Sequence, residues 1–178
     1  MLNQPIKLLT ETAPPGCLLP WLKHEFSLTE KLKKEAGEAR LEVLNQRWAK
    51  SGWWEKFVLG LSTDLVIHRE ILMQAYGNAC WYARTIIPDY SYQAHTAFFH
   101  RLKQESLGLI VFNTPEVKRD FMRNYPVNDS CLEYYWLPQS LRGKGNHFWL
   151  RFSSFSFSGQ SPFYLVEILL PDFLRKVN

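Results

Sequence analysis

Residues 65–87, "LVIHREILMQAYGNACWYARTII", contain two apolar runs separated by a turn sequence. The runs flank "YGNA", and a Gly-Asn pair between two strand-like segments is typical of a β-hairpin. A second hairpin is predicted near the C-terminus, where "HFWLRFSSFSF" and "FYLVEILLP" flank "SGQSP". Strands that come as hairpins, rather than alternating with helices, favour an antiparallel sheet with helices packed against it. The sequence therefore predicts the α+β class and one domain.

The other segments carry helix and loop signals. Residues 27–37 predict a helix, because Ser27 and Glu30 form a capping box at its start. Residues 114–125 predict a second helix, which begins with Thr114 as its cap. The run "ESLGLIVF" fits a helix or a strand equally well. We further expect an irregular N-terminal arm over 1–20, followed by a single domain over 21–178. Within that domain we expect a strand in 40–49, a helix within 89–103, and a loop over 126–146 with a short element at "CLEYYWL".

The composition limits the classes of function. The chain has 178 residues, 46% of them hydrophobic, and a net charge of +4, which suits one globular domain. Basic residues are interleaved with acidic ones rather than gathered into a stripe, so no nucleic-acid partner is expected. Three scattered cysteines and five histidines without metal-ligand spacing predict neither a disulfide framework nor a metal site. Without a signal-peptide pattern or an apolar run of about 18 residues, we expect a cytoplasmic protein with no transmembrane segment.

Three ionisable residues fall on apolar strand faces when side chains are alternated along each predicted strand. Arg69 shares its face with isoleucines and a methionine of the same strand. Arg84 shares its face with a cysteine, a tyrosine and an isoleucine, and Glu167 with a phenylalanine and two leucines. Burying an unpaired ion costs several kcal/mol, so each of these residues needs a partner.

Two interpretations of these charges stay open on the residues alone. In the first, Glu167 forms an internal salt bridge with Arg69 or Arg84. In the second, two arginines outnumber one carboxylate, and the surplus positive charge binds an anionic ligand. Arginine suits that role because its planar fork binds a carboxylate through two hydrogen bonds. The functional hypothesis is an apolar-walled site for a small carboxylic acid.

The same residues lie in motifs that resemble a known family. The motifs "HREILM", "ARTIIP", "LGLIVF" and "VEILLP", in that order, are similar to the core of bacterial chorismate lyases (chorismate pyruvate-lyases). Upstream, "WLKHEFSLTEKLK" and "LEVLNQRWA" resemble the opening segments of that family. The resemblance extends from Trp21 to Pro171.

The resemblance implies a six-stranded antiparallel sheet with helices, in a monomer without cofactor that cleaves chorismate to 4-hydroxybenzoate and pyruvate for ubiquinone synthesis. By resemblance, Arg69 pairs with the ring carboxylate and the Leu107 amide lies near that group. Glu167 lies near the oxygen at the opposite end of the ring, where proton transfer to the ether oxygen is its hypothetical role. Arg84 faces the pyruvyl carboxylate or its exit route, and Leu28 is an apolar flap residue over the ring.

Two departures from the family pattern bear on the flap and on substrate preference rather than on the fold. The segment 126–146 is longer than usual, and "VEILLP" has isoleucine where an aromatic residue is common. One alternative function is a non-catalytic module of the same fold that binds a small carboxylate, as in effector-sensing domains of some bacterial transcription regulators. Those regulators carry an N-terminal DNA-binding domain, for which the residues before Trp21 are too few. Another alternative is a lyase that makes a different hydroxybenzoate.

Overall fold

The structure is a computed structural model that describes residues 13–143 and 147–170. Six strands form one antiparallel sheet in the order β1-β2-β3-β6-β5-β4. The strands are β1 (Arg40–Lys50), β2 (Leu65–Ala75), β3 (Asn78–Pro88), β4 (Val117–Val127), β5 (Phe148–Phe157) and β6 (Gln160–Leu169). The predicted α+β class and the antiparallel sheet are therefore confirmed.

Both predicted hairpins form, and each turns through two residues with positive φ. In the first turn φ is 50° at Tyr76 and 72° at Gly77, and in the second it is 50° at Ser158 and 77° at Gly159. Such turns match the twist of the strands that they connect. The first turn lies one residue before the predicted Gly-Asn pair, because Asn78 already begins β3.

In the described part of the chain, six short α-helices connect or cover the strands. They are α1 (Leu19–Leu22), α2 (Leu28–Ala36), α3 (Trp53–Phe57), α4 (Asp89–Ala94), α5 (Thr96–His100) and α6 (Leu107–Phe112), with single 3-10 turns at Gly16–Leu18, Arg101–Lys103, Leu132–Trp136 and Gln139–Leu141. The predicted cap of α2 is present, since Ser27 Oγ accepts the Glu30 N–H at 3.3 Å. No helix in the described ranges is long and apolar enough to cross a membrane.

The expected N-terminal arm, residues 1–20, is described from residue 13 onward. There the chain makes helical turns, and Leu18 is buried in the hydrophobic core. Residue 21 therefore lies inside α1 rather than at the end of an irregular segment.

The predicted helix over 114–125 is wrong, because most of that segment forms strand β4. Thr114 belongs to the end of α6, where its hydroxyl donates to the Ile110 carbonyl at 2.6 Å. From Val117 the chain pairs with β5 over the whole strand, with a bulge at Asp120. The Thr-Pro helix signal is local, whereas the pairing with β5 is a long-range contact that overrides it.

The two faces of the sheet carry separate hydrophobic cores. The site face, as we call it, carries Arg69 and Thr85 and is covered by α2 and α6. The back face carries Glu70 and Arg84 and is covered by α3 and by residues 131–141. Charged residues thus lie in both layers, and their partners differ between the two faces.

Candidate active site

Strand register brings Arg69 and Glu167 to the same face of the sheet. Arg69 in β2 pairs with Thr85 in β3, and Ala83, two residues before Thr85, pairs with Glu167 in β6. Neighbouring strands lie roughly 4.8 Å apart and a strand rises about 3.4 Å per residue. The offset of two strands and two residues therefore puts the two backbone positions about 12 Å apart, on either side of β3. A small ring can therefore lie over β3 with one of these side chains at each end.

Arg69 is a buried cation without a counter-ion in the described part of the chain. The residue is 2% exposed, and Nη2 donates to the Glu105 carbonyl at 3.1 Å. Its Nε is buried without a hydrogen-bond partner, and no described carboxylate lies within ion-pair distance. Burial lowers the pKa of Arg69 to about 10, which leaves it charged at neutral pH. Such an unpaired charge is costly, which makes Arg69 a candidate for binding an anionic ligand.

Glu167 lies beside a third buried arginine, Arg151, and not beside Arg69 or Arg84. The Arg151 Nε and the Glu167 Oε2 are 3.1 Å apart. They are not aligned as a hydrogen bond, so both atoms remain buried without a hydrogen-bond partner among the described residues. Arg151 is 1% exposed, and its Nη1 donates to the Trp21 carbonyl at 3.0 Å. The internal salt bridge considered from the sequence exists, but with a different arginine.

A fourth arginine, Arg119 of β4, also reaches the site face. Its guanidinium lies 5.2 Å from the ring centroids of both Phe112 and Phe155 and donates to the Glu25 carbonyl. Burial and the neighbouring Arg151 lower the pKa of Arg119. Three guanidinium groups thus converge on one layer, in which Glu167 pairs with Arg151 and, together with Glu25, acts on Arg119.

Two adjoining cavities separate this part of the sheet from α2 and α6. The first is lined by Arg119, Arg151 and apolar side chains, and the second by Arg69 and apolar side chains. The residues that line both cavities are Thr29, Leu107, Gly108, Leu165 and Glu167. Glu167 therefore lies where the two cavities meet, with cationic groups on both sides of it.

The structure also places the two predicted apolar site residues at these cavities. Leu107 begins α6 and lines both, two residues after the Glu105 carbonyl that holds Arg69. Leu28 begins α2 and lines the first cavity next to Phe26, which is 65% exposed. Both residues therefore lie at the cavities, and the amide and flap roles expected of them stay predictions.

The structure does not bring Arg84, which was predicted for this site, to the same face, because Arg84 lies on the back face. It pairs across the sheet with Glu70, which accepts a hydrogen bond from Arg84 Nε at 3.0 Å. Its guanidinium also lies 4.1 Å from the ring centroid of Trp136. The cause is a bulge at Cys80, which shifts the β2–β3 register by one residue and turns Arg84 away from Arg69.

Sequence reasoning missed Arg151 and Arg119. Strand alternation in "HFWLRFSSFSF" places Arg151 on one face with Trp149 and Phe155, so the count applied to the other strands would have found it. Arg119 lies in the segment predicted as helix, to which strand alternation was not applied. In the described ranges, no three His, Cys, Asp or Glu side chains converge to hold a metal ion.

Comparison with known proteins identifies the family. The model of the family described as chorismate lyase matches residues 8–176. The chain belongs to the chorismate lyase family. This is the family whose motifs the sequence resembles, and the match extends over most of the chain.

The curated relatives that match are named probable chorismate pyruvate-lyases. The relative from Aromatoleum aromaticum is 31% identical over 120 residues, which cover 67% of this chain and 62% of the relative. This stretch is less than two thirds of that relative's length. The relative from an Azoarcus species is 27% identical over 165 residues, which cover 87% of each chain.

Solved structures of similar shape come from transcription regulators. PhnF from Mycobacterium smegmatis superposes with a TM-score of 0.59 at 14% identity, over 84% of this chain and 66% of that one. The effector domain of PhnF gives a TM-score of 0.58, also at 14% identity, over 83% of this chain and 90% of that one. At such identity the likeness establishes a shared fold. This chorismate lyase family member thus has the fold of regulator effector domains.

Proposed function

We propose that the protein is a chorismate lyase that eliminates pyruvate from chorismate and releases 4-hydroxybenzoate, the precursor of the ubiquinone ring. The observation that carries this proposal is the buried charge of Arg69, which no described carboxylate neutralises. A fold bears such a cost when a ligand supplies the missing anion. The ring carboxylate of chorismate is an anion that an arginine fork binds well.

The charge of the whole site supports a substrate with two carboxylates. The paired cavities are lined by three arginines, Arg69, Arg119 and Arg151, and by one glutamate, Glu167. The net charge of these four side chains is therefore +2. Chorismate carries one carboxylate on its ring and one on its enolpyruvyl group. Its product 4-hydroxybenzoate carries one, so substrate and product differ in how fully they neutralise the site.

The chemistry suits a site that binds, orients and moves one proton. The ether bond at C3 of chorismate breaks, a proton leaves C4, and the electrons of the C4–H bond complete the aromatic ring. The leaving enolpyruvate takes up a proton and becomes pyruvate, so the overall reaction consumes no proton. Because aromatisation drives the elimination, correct orientation and charge stabilisation account for much of the acceleration.

In this proposal Glu167 handles the proton. Its carboxyl group lies at the junction of the cavities, where the ether oxygen of a substrate anchored on Arg69 would sit. Glu167 takes up the proton that leaves C4 and passes it to the departing oxygen, which restores the carboxylate that pairs with Arg151. Leu28 and Leu107 close the apolar roof over the ring, and the Leu107 N–H faces the ring carboxylate.

The test is to incubate the purified protein with chorismate, without added metal or nucleotide, and to quantify products by chromatography. We expect equimolar 4-hydroxybenzoate and pyruvate, formed well above the rate with heat-denatured protein. Formation of a different hydroxybenzoate would revise the product. If chorismate binds in calorimetry but is not consumed, the protein is a binding module, as the fold of the regulator effector domains allows.

A further inference from the structure

We propose that Arg151 and Arg119 form a second anion subsite that binds the enolpyruvyl carboxylate of the substrate. This inference rests on the proposed function and reassigns to the site face a role that the sequence had suggested for Arg84. Arg84 is unsuitable because its guanidinium is held by Glu70 and Trp136 on the back face.

The arrangement of the cavities separates two cationic ends. Arg69 lines one cavity, whereas Arg119 and Arg151 line the other. Glu167 lines both, at the point where they meet. A dianion with its ring carboxylate on Arg69 and its second carboxylate at the other end would span both cavities. Its ether oxygen would then lie beside Glu167.

Arg151 has a hydrogen-bond donor that no described residue uses. It is 1% exposed, and its Nη1 is held in place by the Trp21 carbonyl. Its Nε is buried and makes no hydrogen bond, although Glu167 lies 3.1 Å away. If Arg151 served only to neutralise Glu167, an aligned two-bond pair would be expected. The misaligned contact leaves the Nε proton available to a ligand oxygen.

Arg119 adds a second positive charge that Glu167 does not balance. Its Nε is also buried without a hydrogen-bond partner among the described residues. Its position against the rings of Phe112 and Phe155 fixes the plane of the guanidinium. Burial and, after it, the proximity of Arg151 lower the pKa of Arg119, and a carboxylate bound between the two arginines would offset their repulsion.

The experiment compares two stable ring acids that differ in the second carboxylate. The probes are 3-(carboxymethoxy)benzoate, a dianion, and 3-methoxybenzoate, which has the same ether and one carboxylate. Calorimetric titration gives a Kd for each, and the ratio of the two Kd values isolates the contribution of the second carboxylate. For the wild type we expect the dianion to bind about 30-fold more tightly or better, as for a desolvated charge pair.

Substitutions at the two arginines show which residue produces the difference in Kd between the two probes. Arg119→Met removes a half-buried charge, and we expect the ratio to fall at least about fivefold. Arg123→Met is the matched control, because Arg123 lies on the same strand but is exposed and pairs with Phe152 of the back-face core. Its ratio should stay at the wild-type value.

Arg151 is tested in a background that avoids leaving a buried carboxylate unpaired. The double variant Arg151→Met/Glu167→Gln is compared with Glu167→Gln alone, and the ratio should collapse toward one in the double variant only. A wild-type ratio near one, or a ratio that neither Arg119→Met nor the double variant changes, overturns the subsite. Because both probes are inert, this result is independent of turnover: a failed lyase assay with an intact ratio rejects the proposed function and keeps the subsite.

Discussion

Glu70 and Arg84 form an ion pair on the back face of the sheet, opposite the layer that contains Arg69. The Glu70 carboxylate also accepts a hydrogen bond from the Tyr82 hydroxyl at 2.7 Å. Two arginines in adjacent strands, Arg69 buried and Arg84 half-buried, are therefore in contrasting states. Arg84 has a carboxylate of its own, whereas Arg69 has none among the described residues.

This contrast predicts that removing the charge of Arg84 lowers the stability of the fold, whereas removing the charge of Arg69 lowers the affinity for the ligand. Arg84→Met leaves the half-buried Glu70 without its cation, so the free energy of unfolding should fall by about 1–3 kcal/mol. The affinity for 4-hydroxybenzoate should stay within about twofold, because Arg84 does not reach the cavities. Urea unfolding and calorimetric titration measure the two quantities. A large loss of product affinity with unchanged stability would place Arg84 in the site after all.

The same ion pair predicts a dependence of stability on pH. Burial acts to raise the pKa of Glu70, but the bonds from Tyr82 and Arg84 outweigh it and hold the pKa below the usual value. A lowered pKa in the folded state contributes stability above the unfolded pKa, and this contribution is lost as the pH falls through the folded value.

Glu70→Gln should therefore be less stable than the wild type at pH 7, and the difference should shrink below about pH 5. Urea unfolding from pH 7 to pH 3 checks this. Glu55, which lies 2.9 Å from His68 and also has a lowered pKa, should keep contributing acid sensitivity in both proteins. If the difference in unfolding free energy between the wild type and Glu70→Gln does not change with pH, the fold does not stabilise the ionised form of Glu70.

Glu167→Gln separates proton transfer from binding. The amide keeps the shape of the side chain and a hydrogen-bond donor but cannot release a proton to the ether oxygen. General acid–base groups contribute about 10²–10⁴-fold, so we expect kcat to fall by that factor while the Kd for 4-hydroxybenzoate changes much less. If the variant retains nearly full kcat, Glu167 is an orienting partner of Arg151 and not a proton donor.

Gly108 tests how closely the roof of the site is packed. A Cβ on Gly108 would lie 2.7 Å from Ser27 Oγ, so Gly108→Ala should push α6 away from the start of α2. We expect a loss of about 1–3 kcal/mol, typical of overpacking, measured as a lower Tm.

Adding Ser27→Gly to Gly108→Ala should restore most of the loss, since glycine at a helix N-cap costs a few tenths of a kcal/mol relative to serine. Gly16→Ala is the control, because no atom lies within 4 Å of its added Cβ. If the double variant is no more stable than Gly108→Ala, the contact with Ser27 is not the cause.

Sequence reasoning succeeds here where the determining contacts are local. The two hairpins follow from two-residue turns between alternating runs, and α2 follows from the hydrogen bond between Ser27 and the Glu30 N–H. It fails for β4, because the Thr114 signal is local whereas the strand exists through its pairing with β5.

In the site, the sequence predicts the face of a single strand but not the register between two strands. Alternation correctly places Arg69 on a buried face, but the relation between two strands depends on their register. A hairpin without a bulge would set Arg84 directly across from Arg69, and the extra residue at Cys80 moves it across from Glu70. The family motifs carry both arginines, so they could not reveal this shift. Arg151 was within reach of the same alternation argument.

The most direct test of the account is the affinity of 4-hydroxybenzoate for the wild type and for Arg69→Met, measured by calorimetric titration. Methionine fills a similar volume without the charge, so the variant should fold and be at least as stable as the wild type. We predict that its affinity for 4-hydroxybenzoate falls by about 2–5 kcal/mol, at least roughly 30-fold, and that turnover of chorismate is lost. An unchanged affinity in a folded Arg69→Met protein would contradict the assignment of the buried, unpaired Arg69 as the carboxylate anchor.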